Sequence, residues 1–228
     1  MKRVTVIASL LIGVIIPGIS AAQIVNQLPD TSAFAFADQE FGDSPGFSSF
    51  LVDDVTLASN SGFGYAIDSV SAVFRANTGS LAGITTANLT IFQNDGVLDT
   101  ETIPVQQVAV TVTSIADQVN GPNFKVTASN LGISLADGNY WFGLTPVADS
   151  TVVRAAHWVS ATTNGQEAHW INPGGSFTLG TEWNPSSVFN EGSFDLSLVV
   201  EGTEKVPEPT SALLLSAGLI GLISRRRR

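Results

Sequence analysis

Apolar and polar side chains alternate with period two through several segments of this chain. Phe194, Leu196, Leu198 and Val200 fall on one face, with Asp195, Ser197, Val199 and Glu201 on the other. Val108, Val110 and Val112 oppose Ala109, Thr111 and Thr113. Val70, Ala72 and Phe74 oppose Ser71, Val73 and Arg75, and Leu89 and Ile91 oppose Asn88 and Thr90. Successive side chains of a strand point to opposite faces, so this pattern demands strands with one buried face. Turn-forming clusters separate them: Asn77-Thr78-Gly79, Asn94-Asp95-Gly96, Asn120-Gly121-Pro122, Ala136-Asp137-Gly138-Asn139, Asn164-Gly165 and Asn172-Pro173-Gly174-Gly175. No window carries a clear apolar stripe at helical spacing. The expected fold class is all-β: an antiparallel β-sandwich, jelly-roll-like, flanked by an N-terminal signal helix and a short C-terminal hydrophobic helix.

The flanking helices come from the two ends. Met1-Lys2-Arg3 is a positive start, Val4 to Ile19 is almost unbroken apolar sequence, and Ser20-Ala21-Ala22 supplies small residues. These are the three regions of a secretory signal peptide, with cleavage expected after Ala22. At the other end, Val206-Pro207-Glu208-Pro209-Thr210-Ser211 precedes the mostly apolar Ala212 to Ile223, then Ser224 and the basic run Arg225, Arg226, Arg227 and Arg228. At a rise of ~1.5 Å per residue that apolar segment is shorter than a bilayer core. The four arginines stay on the cytoplasmic side and act as a stop. The prolines hold Pro207-Glu208-Pro209 extended and out of the helix, as a protease requires. The expected organisation is a signal peptide over 1–22, one β-sandwich domain over 23–203, a linker with the Pro-Glu-Pro motif over 204–210, and a hydrophobic tail with its Arg cluster over 211–228. Within the domain, Asp30 to Ser49 reads as a loosely ordered lead-in.

Charge narrows the partners. From Gln23 to Glu204 the chain carries 19 acids against Arg75, Lys125 and Arg154, a net charge of −16. Such a body repels nucleic acid and anionic lipid. Absence of cysteine removes thiol catalysis, thiolate metal sites and disulfides.

The C-terminal order of Val206-Pro207-Glu208-Pro209, a Leu-, Gly- and Ala-rich apolar stretch and a terminal Arg cluster resembles the PEP-CTERM sorting signal. That resemblance implies recognition of Pro207, Glu208 and Pro209 by an exosortase, a membrane-embedded protease or transpeptidase. It also implies a Gram-negative source that makes extracellular polysaccharide or biofilm matrix. Phe50 to Leu57 and Leu135 to Leu144 are similar to the β-sandwich of "choice-of-anchor" exported proteins, with Val55 in place of the usual Phe. No enzymatic activity comes with that resemblance.

Candidate chemistry centres on a repeat, Ala156-His157-Trp158-Val159 and Ala168-His169-Trp170-Ile171, with Asn164-Gly165 between. As a hairpin, His157, Trp158, His169 and Trp170 would form a platform for sugar rings or a metal pair. The competing reading is cross-strand aromatic packing. Trp141 and Trp183 read as core and rim aromatics. Asp53 and Asp54 point to opposite faces of a strand and are no carboxylate pair. Asn94-Asp95-Gly96 and Asp137-Gly138-Asn139 offer oxygen ligands to Ca²⁺, but turn chemistry explains them equally well. No catalytic residue, metal site or further cofactor is assigned. The expected function is therefore non-catalytic: a protein exported by the secretion machinery, sorted by an exosortase after transient membrane insertion, and placed at the outer surface or in a polysaccharide matrix. A carbohydrate-binding module is the alternative, and a glycan-active enzyme a more distant one.

Overall fold

The computed structural model describes residues 21–206, apart from 96–97, 99–104, 116–121, 179–180 and 190–191. Its strands are β1 (Ala22–Gln27), β2 (Ala35–Ala37), β3 (Phe50–Leu57), β4 (Tyr65–Gly79), β5 (Thr86–Gln93) and β6 (Val105–Ile115). They continue as β7 (Asn123–Leu135), β8 (Gly138–Val147), β9 (Val153–Trp158), β10 (His169–Ile171), β11 (Asn184–Pro185) and β12 (Leu198–Glu204). Helical structure among the described residues is confined to short 3-10 turns at Pro45–Phe47, Leu81–Gly83 and Ser186–Phe189. No helix there is long and apolar enough to cross a membrane. The expected terminal helices lie outside the described residues, as do Pro207, Glu208 and Pro209 of the motif and the stop residues Arg225, Arg226, Arg227 and Arg228. Ala22, the expected cleavage position, opens β1.

The strands pair antiparallel in the order β1-β12-β4-β7-β6-β5-β8-β3-β10-β11, and β9 joins β4 to β2. β6 makes the corner: Thr86 of β5 pairs with Ala109, whereas Val126 of β7 pairs with Val112 further along the same strand. The array thereby folds over a shared core. Ala72 and Phe74 of β4, Phe124 of β7 and Leu198 of β12 meet Val55 of β3 and Leu144 of β8 in one buried cluster. Phe74 and Phe124 stack at 5.6 Å. This is the all-β antiparallel sandwich that the alternation predicts. The two stretches similar to exported sandwich domains are hydrogen-bonded neighbours, with Asp54 opposite Trp141 and Val55 opposite Tyr140.

Two expectations are corrected. Asn77-Thr78-Gly79 is not a turn, because β4 continues through it to pair with β9, and a register shift lies between Ala76 and Thr78. A bulge tolerates turn-favouring residues inside a strand. Nor is Asp30 to Ser49 a loose lead-in. β2 pairs with β9, and bridges tie Gln39 to Ser49 and Glu40 to Val147. The buried Gln39 amide donates to Ala148 O at 2.9 Å and Val153 O at 3.0 Å, and accepts from Ala155 N at 2.6 Å. Its polar composition serves internal hydrogen bonding.

Candidate functional site

The two His-Trp segments do not form the expected hairpin. β9 pairs with β2 and β4, while β10 pairs with β3 and β11. Turn residues between them bond elsewhere: Asn164 N–H donates to the Asp195 carboxylate, and Gln166 N–H to Asp54 at 2.9 Å. Trp158 is fully buried and its Nε1 donates to Asn123 Oδ1 at 2.9 Å. Trp170 is 3% exposed, with its Nε1 donating to Ala37 O at 3.2 Å. His169 lies edge-on to Trp141, 4.8 Å between centroids, and burial pushes its imidazole below the ordinary value. With Trp158 and His157 sealed in the core, the four residues make no shared sugar platform; cross-strand packing is what the fold uses. Trp141 and Trp183 are both buried, packed with Phe50, Val52 and Ile171.

His157 instead belongs to a polar chain inside the sandwich. Its Nδ1 meets Asp38 Oδ2 at 2.9 Å, and its Nε2 meets Ser197 O at 2.9 Å. A carbonyl only accepts, so Nε2 carries a hydrogen. Thr145 Oγ1 donates to the other Asp38 oxygen at 2.6 Å. Burial pushes the Asp38 carboxyl up, while His157, Thr145 and the Leu51 N–H pull it back. All these groups are buried, and the chain joins β9, β8, the segment after β2 and the Ser197 carbonyl.

A second carboxylate group surrounds the Asn164-Gly165 turn. Asp53 is fully buried and accepts from Leu196 N at 2.7 Å and Asp54 N at 3.0 Å. Burial first, and then the nearby Asp195 charge, pushes Asp53 well above the carboxylate range. Burial raises Asp195 to about 6, with Asp54 and Glu167 adding to the rise. A carboxyl whose folded value is raised contributes stability that is present below its unfolded value, near 3.8, and lost as pH rises through about 6. His169 acts in the opposite direction, since its lowered value penalises the fold on acidification. Asp195→Asn keeps an acceptor for Asn164 N–H and isolates the carboxyl. We expect the wild type to lose stability relative to Asp195→Asn between about pH 4 and pH 7, measured by denaturant melts across that range. Parallel profiles would contradict the assignment.

Solvent reaches two connected depressions. One, of about 410 Å³, is lined by Phe34, Phe36, Trp170, Phe177 and Phe189 with the backbone of β2. The other, of about 360 Å³, is lined by Phe41, Ser44, Phe47, Ser150, Arg154 and Phe177. Phe177 borders both and contacts Phe47 edge-on at 5.6 Å. Sequence reasoning missed this cleft because its aromatics come from short strands, a 3-10 turn and loops far apart in the chain and show no periodicity. The Asp137 turn, weighed above for Ca²⁺, holds a loop: both carboxylate oxygens accept from Ser59, and Asn139 Oδ1 accepts from Thr56. Among the described residues no group of three or more His, Asp or Glu side chains is arranged to hold a metal.

The described residues form an antiparallel β-sandwich, and a sorting signal follows it in the sequence. A family profile described as the PEP-CTERM protein-sorting motif matches residues 205–228, which takes in Pro207 to Pro209 and the whole run from Arg225 through Arg226 and Arg227 to Arg228. The chain carries this motif at its C-terminal end, and the motif indicates an extracellular protein sorted by an exosortase. No curated protein matches it.

Proposed function

We propose that the chain is a non-catalytic component of an extracellular polysaccharide or biofilm matrix on a Gram-negative outer surface. The sorting motif is the observation that carries this reading. The body supports it, because the one His–carboxylate pair among the described residues is buried and bonded within the fold. A second reading, carbohydrate binding, is favoured by the cleft around Phe177 rather than by the His-Trp segments. Phe47 is 50% exposed there and offers a ring face for sugar C–H surfaces, with Arg154 and two serines beside it to hydrogen-bond hydroxyls. A sedimentation assay of the purified body on extracted polysaccharide tests both. We expect Phe47→Ala with Arg154→Gln to weaken retention at least ~10-fold if the cleft binds sugar, about 1.4 kcal/mol. Retention unchanged in that variant leaves the matrix role without sugar contact at this cleft. Hydrolysis of the polysaccharide would overturn the non-catalytic reading.

A further inference from the structure

The folded body reaches almost to the sorting motif. β12 runs to Glu204, and only Lys205 and Val206 separate it from Pro207. Glu204 and Lys205 are held. Glu204 pairs with Tyr65 across the sheet. The Glu204 carboxylate accepts from Ser61 N at 2.5 Å and from Asn60 Nδ2 at 3.2 Å. Lys205 N donates to Gly64 O at 2.8 Å, and Lys205 O accepts from Ser61 Oγ at 2.6 Å. Lys205 Nζ donates to Ser134 Oγ at 2.8 Å.

The loop that does this is built for it. Ser59 binds it to Asp137 through both backbone N–H and hydroxyl, at 2.8 and 2.9 Å. Gly64 sits at φ +78, and a Cβ there would lie 2.1 Å from Leu135 O. Only glycine fits that close approach. The same pole carries the start of β1, where Ala22 lies opposite Gly202.

A protease binds its substrate in extended form and makes main-chain hydrogen bonds along it. A cleft that cuts within Pro207 to Pro209 therefore has to take up Val206, then Lys205, then Glu204. The N–H and C=O of Lys205 are already bonded to the loop, and Glu204 is held in register with Tyr65 and by its carboxylate on Ser61 and Asn60. Local opening of a strand end is a low-energy fluctuation, so such a hold slows access without forbidding it.

We propose that the Ser59–Gly64 loop gates sorting: it keeps Glu204 and Lys205 in the fold, and the sorting protease reaches the motif only when that hold opens. The proposal rests on processing at the PEP-CTERM motif. It is tested on the full chain in a host with an intact exosortase, by pulse-chase with mass measurement of the shortened product. Ser61→Ala removes the hydroxyl on Lys205 O, and Glu204→Gln weakens the charged acceptor. Inserting about eight Gly and Ser residues between Val206 and Pro207 moves the cut site clear of the body as a flexible coil and leaves the fold itself unchanged. We expect each change to speed maturation several-fold, and Ser61→Ala to add nothing once the spacer is present. A spacer chain that matures at the wild-type rate or slower overturns the gate, whatever the point variants do. Absence of shortening in the wild type would overturn the sorting reading itself, a different result.

Discussion

Asp38→Ala is expected to remove about 3–5 kcal/mol of stability, because it strips the shared partner from several buried polar groups at once. For a body of this size that lowers the melting temperature on the order of 10 °C. Thr145 Oγ1 and the Leu51 N–H lose their acceptor together, and His157 Nδ1 loses its partner. Each buried orphan costs about 1–3 kcal/mol. Asp38→Asn should behave quite differently. Its amide oxygen still accepts from Thr145, and its NH₂ can donate to Nδ1 of a neutral His157 whose Nε2–H remains on Ser197 O. The loss should then be about 1 kcal/mol. Denaturant melts of the two variants beside the wild type check this. An Asn variant as damaged as Ala would refute the hydrogen-bonding role given to Asp38.

Why this chain of polar groups escaped the sequence is itself physical. Alternation identifies which face of a strand is buried, and it found Val70, Ala72, Phe74, Leu198 and Val200 correctly. It cannot flag a strand buried on both faces. In β9, Ala155, Ala156, His157 and Trp158 are all buried, so both faces of that stretch are covered. The period-two signal therefore vanishes there, and the His-Trp pair looks like a surface feature. Partners far along the chain compound the problem: Asp38 lies 119 residues from His157, in a segment whose Ser, Asp and Phe content reads as loop. Turn chemistry was legible at Ala136 to Asn139, where β7 passes into β8, and misleading at Asn77 to Gly79, where a bulge uses the same residues. The Phe177 cleft had no sequence signal at all, since tertiary contacts alone assemble it.

The C-terminal motif was legible for the opposite reason: a sorting signal acts as a linear segment, so its order along the chain is its mechanism. We expect Glu208→Ala to abolish shortening of the chain while leaving it membrane-associated. Glu208 is the one acidic residue in the matched segment 205–228. Flanked by Pro207 and Pro209, an alanine at 208 stays extended, because the residue before a proline is held out of the helical region. The apolar segment Ala212 to Ile223 is unchanged, so partition into the bilayer is unchanged. Only the carboxylate is lost. Neutralising Arg225, Arg226, Arg227 and Arg228 together should fail in another way. Arg at a helix centre costs about 2.5–3.5 kcal/mol to insert, and without that barrier the short tail has no fixed orientation. That variant should be found away from the membrane, whereas Glu208→Ala should accumulate there at full length. Fractionation with intact-mass measurement separates the two, and Gln23 at the N-terminus of both would show that export precedes the defect. If Glu208→Ala is shortened at the wild-type rate beside an intact exosortase, this glutamate is not read, and recognition must rest on the prolines and the apolar segment alone.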